Sequence, residues 1–258
     1  MKITVIGGTG LVGTKLVKAL RATGHDVLVA ARATGVNTYT GEGLAEALEG
    51  ADVVVDVSNS SYTDEAAAKE FFYVSTINLL TYGEAAGVPH HVALSVVGTD
   101  RLARAEGGYF AAKLQQEQLI TSSGRPYSLV HATQFFEFIH TITDNAVRDG
   151  AVRVADVLVR PLAADDVADA LAQVAIGDPL FATAEYAGPE IFTLEELARI
   201  DLRSRKDDRE AAPDPLGTYF GARLSSRDLL PDATATISRT TYENWRTQKP
   251  SGEAAVFE

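Results

Sequence analysis

Three glycines at fixed spacing, Gly7, Gly10 and Gly13, stand in the run Gly7-Gly8-Thr9-Gly10-Leu11-Val12-Gly13, directly after the β-branched stretch Ile3-Thr4-Val5-Ile6. Between a strand and a helix, this spacing is suited to holding a pyrophosphate. The first glycine permits the tight turn, the second lets phosphates approach the backbone, and the third lets helix and strand pack closely. The helix start adds free N–H groups and a positive dipole end. Gly7, Thr9, Gly10, Leu11, Val12 and Gly13 are therefore the expected phosphate-side contacts of a dinucleotide.

The choice of dinucleotide is read one strand later. An NAD site usually carries Asp or Glu at the end of its second strand, on the ribose 2′-hydroxyl. Here Ala30-Ala31-Arg32-Ala33-Thr34 follows, and no acid occurs between Asp26 and Glu42. The planar guanidinium of Arg32 suits a 2′-phosphate, so the expected cofactor is NADPH (NADP+). Ser58-Asn59-Ser60, after a later apolar strand, is expected to line the same cleft.

These residues must be held by elements whose periods alternate through the first half. Strands are expected over 1–6, 26–31, 52–57, 91–95 and 127–130, with a weak one over 36–40. Helices are expected over 11–20, 44–48, 64–86 and 109–121, the third capped by Thr63 or Asp64 and stopped at Gly87. After residue 133 come short strands within 152–160, a helix over 163–175, a strand over 183–188 and a helix over 194–200. The charged, proline-bearing stretch 203–215 reads as irregular. Apolar strands separated by helices predict an α/β doubly wound parallel sheet (Rossmann). The chain reads as one domain, 1–258, with residues about 134–160 and 178–258 forming a small C-terminal substrate-side lobe.

The 258 residues are 46% hydrophobic, enough for one sizeable core and a modest lobe. Cysteine is absent, which excludes disulfides, thiolate metal sites and a cysteine nucleophile and fits a cytoplasmic setting. The net charge of −12 argues against nucleic acid as the main partner. No apolar run reaches the roughly 18 residues that span a bilayer. A strand from the first residues leaves no room for a signal peptide, so a soluble protein is expected.

The opening run through Gly13 resembles the short-chain dehydrogenase/reductase superfamily, and looks closest to its atypical, NmrA-like NAD(P)H-binding branch. Further matches are Thr76-Ile77-Asn78-Leu79-Leu80, Ala93-Leu94-Ser95-Val96-Val97-Gly98 and Ala132-Thr133-Gln134-Phe135-Phe136. The resemblance covers roughly residues 1–200. It implies that Ser95, Tyr109 and Lys113 are the catalytic set, since Tyr109-x-x-x-Lys113 puts both side chains on one helical face and Ser95 ends a parallel strand. A free phenol has a pKa of about 10. Lys113 and the oxidised nicotinamide are expected to lower it, making Tyr109 a general acid for a carbonyl oxygen that Ser95 holds. Lys113 is also expected on the nicotinamide ribose. Atypical members often lose the tyrosine or serine, and some bind cofactor without turnover; the stretch 99–108, with Gly107-Gly108 ahead of Tyr109, reads as a flexible lead-in.

Gln134, Phe135 and Phe138, with Phe136 between, are the expected substrate-side residues, as wall or as core. His90 and His91 begin a strand, at the wrong end of the sheet for catalysis. His131 and His140 lack ligand spacing, so no metal site is expected. The implied activity is an NADPH-dependent oxidoreductase passing hydride to a small carbonyl or quinone. The alternatives are an NmrA-like NADP(H)-sensing regulator without turnover and a sugar-nucleotide epimerase or dehydratase, ranked lower because the lobe looks short. No feature of the sequence fixes the oligomeric state.

Overall fold

A computed structural model describes residues 1–62, 64–105 and 108–248. The chain opens with β1 (Lys2–Ile6), α1 (Leu11–Ala22) and β2 (Asp26–Ala30), then α2 (Leu44–Leu48), β3 (Val53–Asp56), α3 (Glu65–Ala85) and β4 (His91–Val96). Next come α4 (Thr99–Arg104), α5 (Gly108–Ser122), β5 (Tyr127–Ala132), α6 (Ile139–Asn145), β6 (Val147–Arg148), β7 (Ala151–Ala155) and β8 (Leu158–Val159). The remainder is α7 (Ala164–Ile176), β9 (Thr183–Ala187), β10 (Phe192–Thr193), α8 (Leu194–Arg205), β11 (Ala211–Asp214), β12 (Thr236–Ile237) and α9 (Tyr242–Gln248).

Seven strands form one parallel sheet in the order β12-β9-β5-β4-β3-β1-β2. Alternate side chains of each strand serve opposite faces. Ile3, Val5, Val53 and Val55 pack under α1 and α7 with Leu16, Leu20 and Leu171. Ile6 and Val54 pack on the other face with Leu44, Leu48 and Leu79 of α2 and α3. A sheet covered on both faces is the Rossmann-like doubly wound architecture. From β1 the chain winds outward to β2, then returns to place β3 on the other side of β1. The carboxyl ends of β1 and β3 thus flank the switch point at which such sheets bind ligands.

Several expected boundaries differ. Residues 36–40 are not a strand, because Asn37 folds the backbone locally. Its Oδ1 accepts from Tyr39 N at 3.0 Å, and its carbonyl accepts from Gly41 N at 2.8 Å. The expected flexible lead-in contains a helix, α4, with Leu102 buried and Arg101 donating to the Asp228 and Leu230 carbonyls. Asp64 caps α3, accepting from Ala67 N at 2.9 Å; Thr63 and Gly107 lie outside the described residues. The stretch expected to be irregular holds the end of α8 and β11, which pairs parallel with β7 as an edge strand, where Pro213 is tolerated. Within the range assigned to the lobe, β9 and β12 join the main sheet instead. What covers the sheet's carboxyl edge is therefore α6, α8, α9 and the small strands, around an aromatic core. No helix among the described residues is long and apolar enough to cross a membrane.

Candidate functional site

The glycine turn is built as its spacing requires. Gly7 has φ +76°, and a Cβ there would lie 2.8 Å from Ser58 N in the loop after β3. A Cβ on Gly13 would lie 2.2 Å from the Gly7 carbonyl oxygen, so only glycine lets α1 press onto the turn. Gly7 N donates to Ala30 O at 2.9 Å and Gly10 N to Gly7 O at 3.0 Å, which closes the loop. At Gly10 a Cβ would meet only the Gly7 carbonyl oxygen, at 3.3 Å. Gly10 caps α1 without a side-chain hydrogen bond, so the amides of Leu11, Val12 and Gly13 have no acceptor within the helix. Thr9 and Gly10 are exposed and Leu11 half-buried. This cradle fits a pyrophosphate.

Arg32 opens the 3₁₀ turn Arg32–Thr34 beyond β2. Its side chain is exposed, and among the described residues its guanidinium has no partner. A free planar cation next to the cradle has the chemistry of a 2′-phosphate contact.

Beyond β3 the expected residues sort into separate groups. Asp56, the buried end of β3, accepts from Ser58 N at 2.9 Å and Ser58 Oγ at 2.6 Å through one oxygen. Its other oxygen accepts from Gln116 Nε2 at 2.9 Å. Gln116 Oε1 in turn accepts from Lys113 Nζ, which also donates to Leu94 O at 2.8 Å and lies 4.6 Å from the Phe72 ring centre. Burial draws the Lys113 ammonium down to about 8, against the opposing pull of Asp56 and Glu117.

Tyr109 is in a second group. Its hydroxyl donates to Asn59 Oδ1 at 2.7 Å, and Asn59 Nδ2 donates to the Tyr62 hydroxyl at 2.9 Å. Burial pushes the Tyr109 phenol well above its usual value, and the neighbouring Tyr62 and Tyr219 add to this. The expected lowering by Lys113 is corrected: the ammonium is turned to Gln116 and the Leu94 carbonyl, and desolvation wins.

Ser95 is in a third group, with its hydroxyl turned to Glu117. It faces His131 across the β4–β5 pair, with Glu117 of α5 over both. Ser95 Oγ donates to Glu117, and His131 Nε2 lies 3.0 Å from the same carboxylate oxygen. Burial pushes this carboxyl up, but His131, Ser95 and Lys113 together hold it below its usual range. Among the described residues no hydrogen bond joins Tyr109 to Ser95 or Lys113.

On the substrate side, Gln134 is buried and Phe135 half-buried, while Phe138 lies 4.9 Å from the Tyr62 ring. Phe136 is core, packed on Tyr242 and Trp245. Ser60 is half-buried. Sequence reasoning passed over Asp56, Tyr62, Gln116 and Glu117. Asp56 carried a signal, a carboxylate closing an otherwise apolar strand; the helix residues carried only their place one turn after Lys113.

A model for an NAD(P)H-binding family matches residues 7–177. Photosystem II assembly factor Ycf39 of Synechocystis is 28% identical over 111 residues, 38% of this chain and 34% of that protein. The chain thus aligns with about a third of that curated relative's length. Among solved structures, a dTDP-4-dehydrorhamnose reductase from Clostridium acetobutylicum has a TM-score of 0.74 at 16% identity, covering 96% of this chain and 98% of its own. The NADPH-dependent quinone oxidoreductase QOR2 from Escherichia coli has a TM-score of 0.62 at 20% identity, covering 83% and 78%. At such identities the likeness is of fold alone.

Proposed function

The chain belongs to the NAD(P)H-binding family, and from that premise we propose that it is an NADPH-dependent reductase of a small carbonyl or quinone. The observation that carries the choice of NADPH is Arg32, a free guanidinium beside the glycine cradle where an acid would serve NAD. Bound there, the cofactor supplies hydride.

The chain's own residues do the rest. Gly7, Thr9 and Gly10, with the first-turn amides of Leu11, Val12 and Gly13, hold the pyrophosphate, and Arg32 holds the 2′-phosphate. Ser58 and Ser60 line the cleft between the carboxyl ends of β1 and β3. Lys113, held by Gln116 and the Leu94 carbonyl, would contact the nicotinamide ribose. Tyr109 is the proton donor. Its raised pKa keeps the phenol protonated at neutral pH and makes it a weak acid, so it gives its proton only to a strongly basic oxygen such as the alkoxide left by hydride addition. A substrate oxygen competes with Asn59 Oδ1 for that proton. Ser95 acts through Glu117, pinning α5 to β4. Gln134, Phe135 and Phe138 form the substrate side.

One observation favours a second reading. The Ser95 and Tyr109 hydroxyls are both engaged by protein groups, which suits an NADP(H)-sensing regulator that does not turn over.

The test is NADPH and NADH oxidation against quinones, ketones and aldehydes, with wild type and Tyr109→Phe. Turnover with at least one acceptor is expected, lowered by about 100-fold in the variant, the scale of a lost general acid. Tight NADPH binding with no turnover on any acceptor supports the sensor. Equal activity in Tyr109→Phe removes that residue from its role.

A further inference from the structure

We propose that the ring of Phe220 occupies the seat of the acceptor's ring, so that the substrate is a planar quinone or aromatic carbonyl that displaces Phe220 from Tyr62 and Phe138. This deepens the reductase reading and rests on it.

The place is set by topology. Tyr62 lies in the segment between β3 and α3, Tyr109 in the first turn of α5, and Phe138 just after β5. All three stand at the carboxyl edge of the sheet, where open α/β folds bind ligands. Tyr62 touches both the Tyr109 ring, at 4.4 Å, and the Phe138 ring, at 4.9 Å, so it links the seat to the phenol proposed as proton donor.

Phe220 comes from far along the chain. It lies 5.4 Å from Tyr62 and 5.7 Å from Phe138, and closes the group. It sits at the tip of a tight turn in which Tyr219 N donates to Ala222 O at 2.9 Å and Ala222 N to Tyr219 O at 3.0 Å. Both central residues are left-handed, Phe220 at φ +46° and Gly221 at φ +85°. Turns of this kind favour Asn, Asp or Gly at the first of these positions, and a bulky residue there is strained. Such a conformation persists only where packing holds it, and here the Phe220 ring packs on Tyr62, Phe138 and, at 4.8 Å, its neighbour Tyr219.

The other members are anchored without Phe220. The Tyr62 hydroxyl accepts from Asn59, while Phe138 is buried and donates its N–H to Phe135 O at 3.0 Å. Phe220, half-buried like Tyr62, is the member carried on a strained backbone. A flat ring of similar size can take its contacts with Tyr62 and Phe138 and release the strain. An aliphatic carbonyl has no ring to offer and gains neither.

The experiment uses the full chain, wild type and Phe220→Ala, with 1,4-naphthoquinone and butanal as probes. The chain has no cysteine, so the quinone meets no thiol. Equilibrium dialysis reads naphthoquinone binding without turnover, and NADPH oxidation reads kcat/KM for both acceptors. Phe220→Ala is expected to bind naphthoquinone about threefold to tenfold tighter, the scale of one aromatic pair, with the naphthoquinone-to-butanal ratio of kcat/KM rising by a similar factor. Weaker naphthoquinone binding in the variant makes Phe220 a wall rather than an occupant and overturns the proposal. An unchanged affinity overturns it too. If dialysis responds to Phe220 but NADPH is not oxidised by any acceptor, the reductase reading fails while the seat stands. If NADPH is oxidised but dialysis does not respond, the seat alone fails. Phe220→Leu, which keeps bulk without a flat ring, shows whether a lost fold explains Phe220→Ala: with equal thermal midpoints, its naphthoquinone affinity is expected between the other two.

Discussion

Lys113 is a cation held almost out of water by Gln116, the Leu94 carbonyl and the Phe72 ring. Its ammonium titrates at about 8 in the folded chain against 10.5 for a free lysine. Between those values the unfolded chain binds more protons than the folded one, so stability rises with pH across that window. The full difference is about 3 kcal/mol at most. Urea midpoints followed from pH 7.5 to 10 should therefore climb for wild type relative to Lys113→Met, which has no ammonium to lose; parallel profiles would remove the buried-cation account. The spacing of Tyr109 and Lys113 was readable from the sequence. Their partners were not, because Asn59 arrives on the loop after β3 and Gln116 meets Asp56 only when α5 lies across that strand. Ser95 shows the same limit. Its strand-end position was legible, and its commitment to Glu117 depends on a helix facing the β4–β5 pair.

At the scale of elements, the turn before α1 and the interior of α3 make opposite demands on glycine. A methyl on Gly13 meets the Gly7 carbonyl oxygen at 2.2 Å, whereas one on Gly83 meets nothing within 4 Å. Gly13→Ala should destabilise the fold by about 1–3 kcal/mol and abolish tight dinucleotide binding. Gly83→Ala should be neutral or stabilise by roughly 0.5–1 kcal/mol. Thermal midpoints and NADPH titrations of the two variants check this, and equal effects would contradict the close approach of α1. Helices α1, α2 and α3 were legible because apolar spacing and a stopping glycine agree along each, α3 adding its Asp64 cap, and α7 was legible from apolar spacing. The strand expected at 36–40 failed because Asn37 spends its hydrogen bonds on a local turn. β11 went unread because Ala211-Ala212-Pro213-Asp214 has no apolar pattern, and only pairing with β7 makes it a strand.

Across the whole molecule, a parallel sheet puts every loop that matters at one edge, and a net charge of −12 leaves that edge needing its own cation for a phosphate. Arg32 supplies it. The sheet and the phosphate cradle were visible early because they rest on local spacing. The cover was not, because Phe220 reaches Tyr62 and Phe138, and Tyr219 reaches Phe110, from a turn with no periodic signal. The most direct test of NADPH as cofactor is equilibrium titration of NADPH and NADH into wild type and Arg32→Ala. Wild type should bind NADPH more tightly than NADH. Arg32→Ala should weaken NADPH by about tenfold to 100-fold, the scale of lost charge-assisted hydrogen bonds, and leave NADH within about twofold. Equal losses for both cofactors, or tighter NADH binding by wild type, would contradict the account.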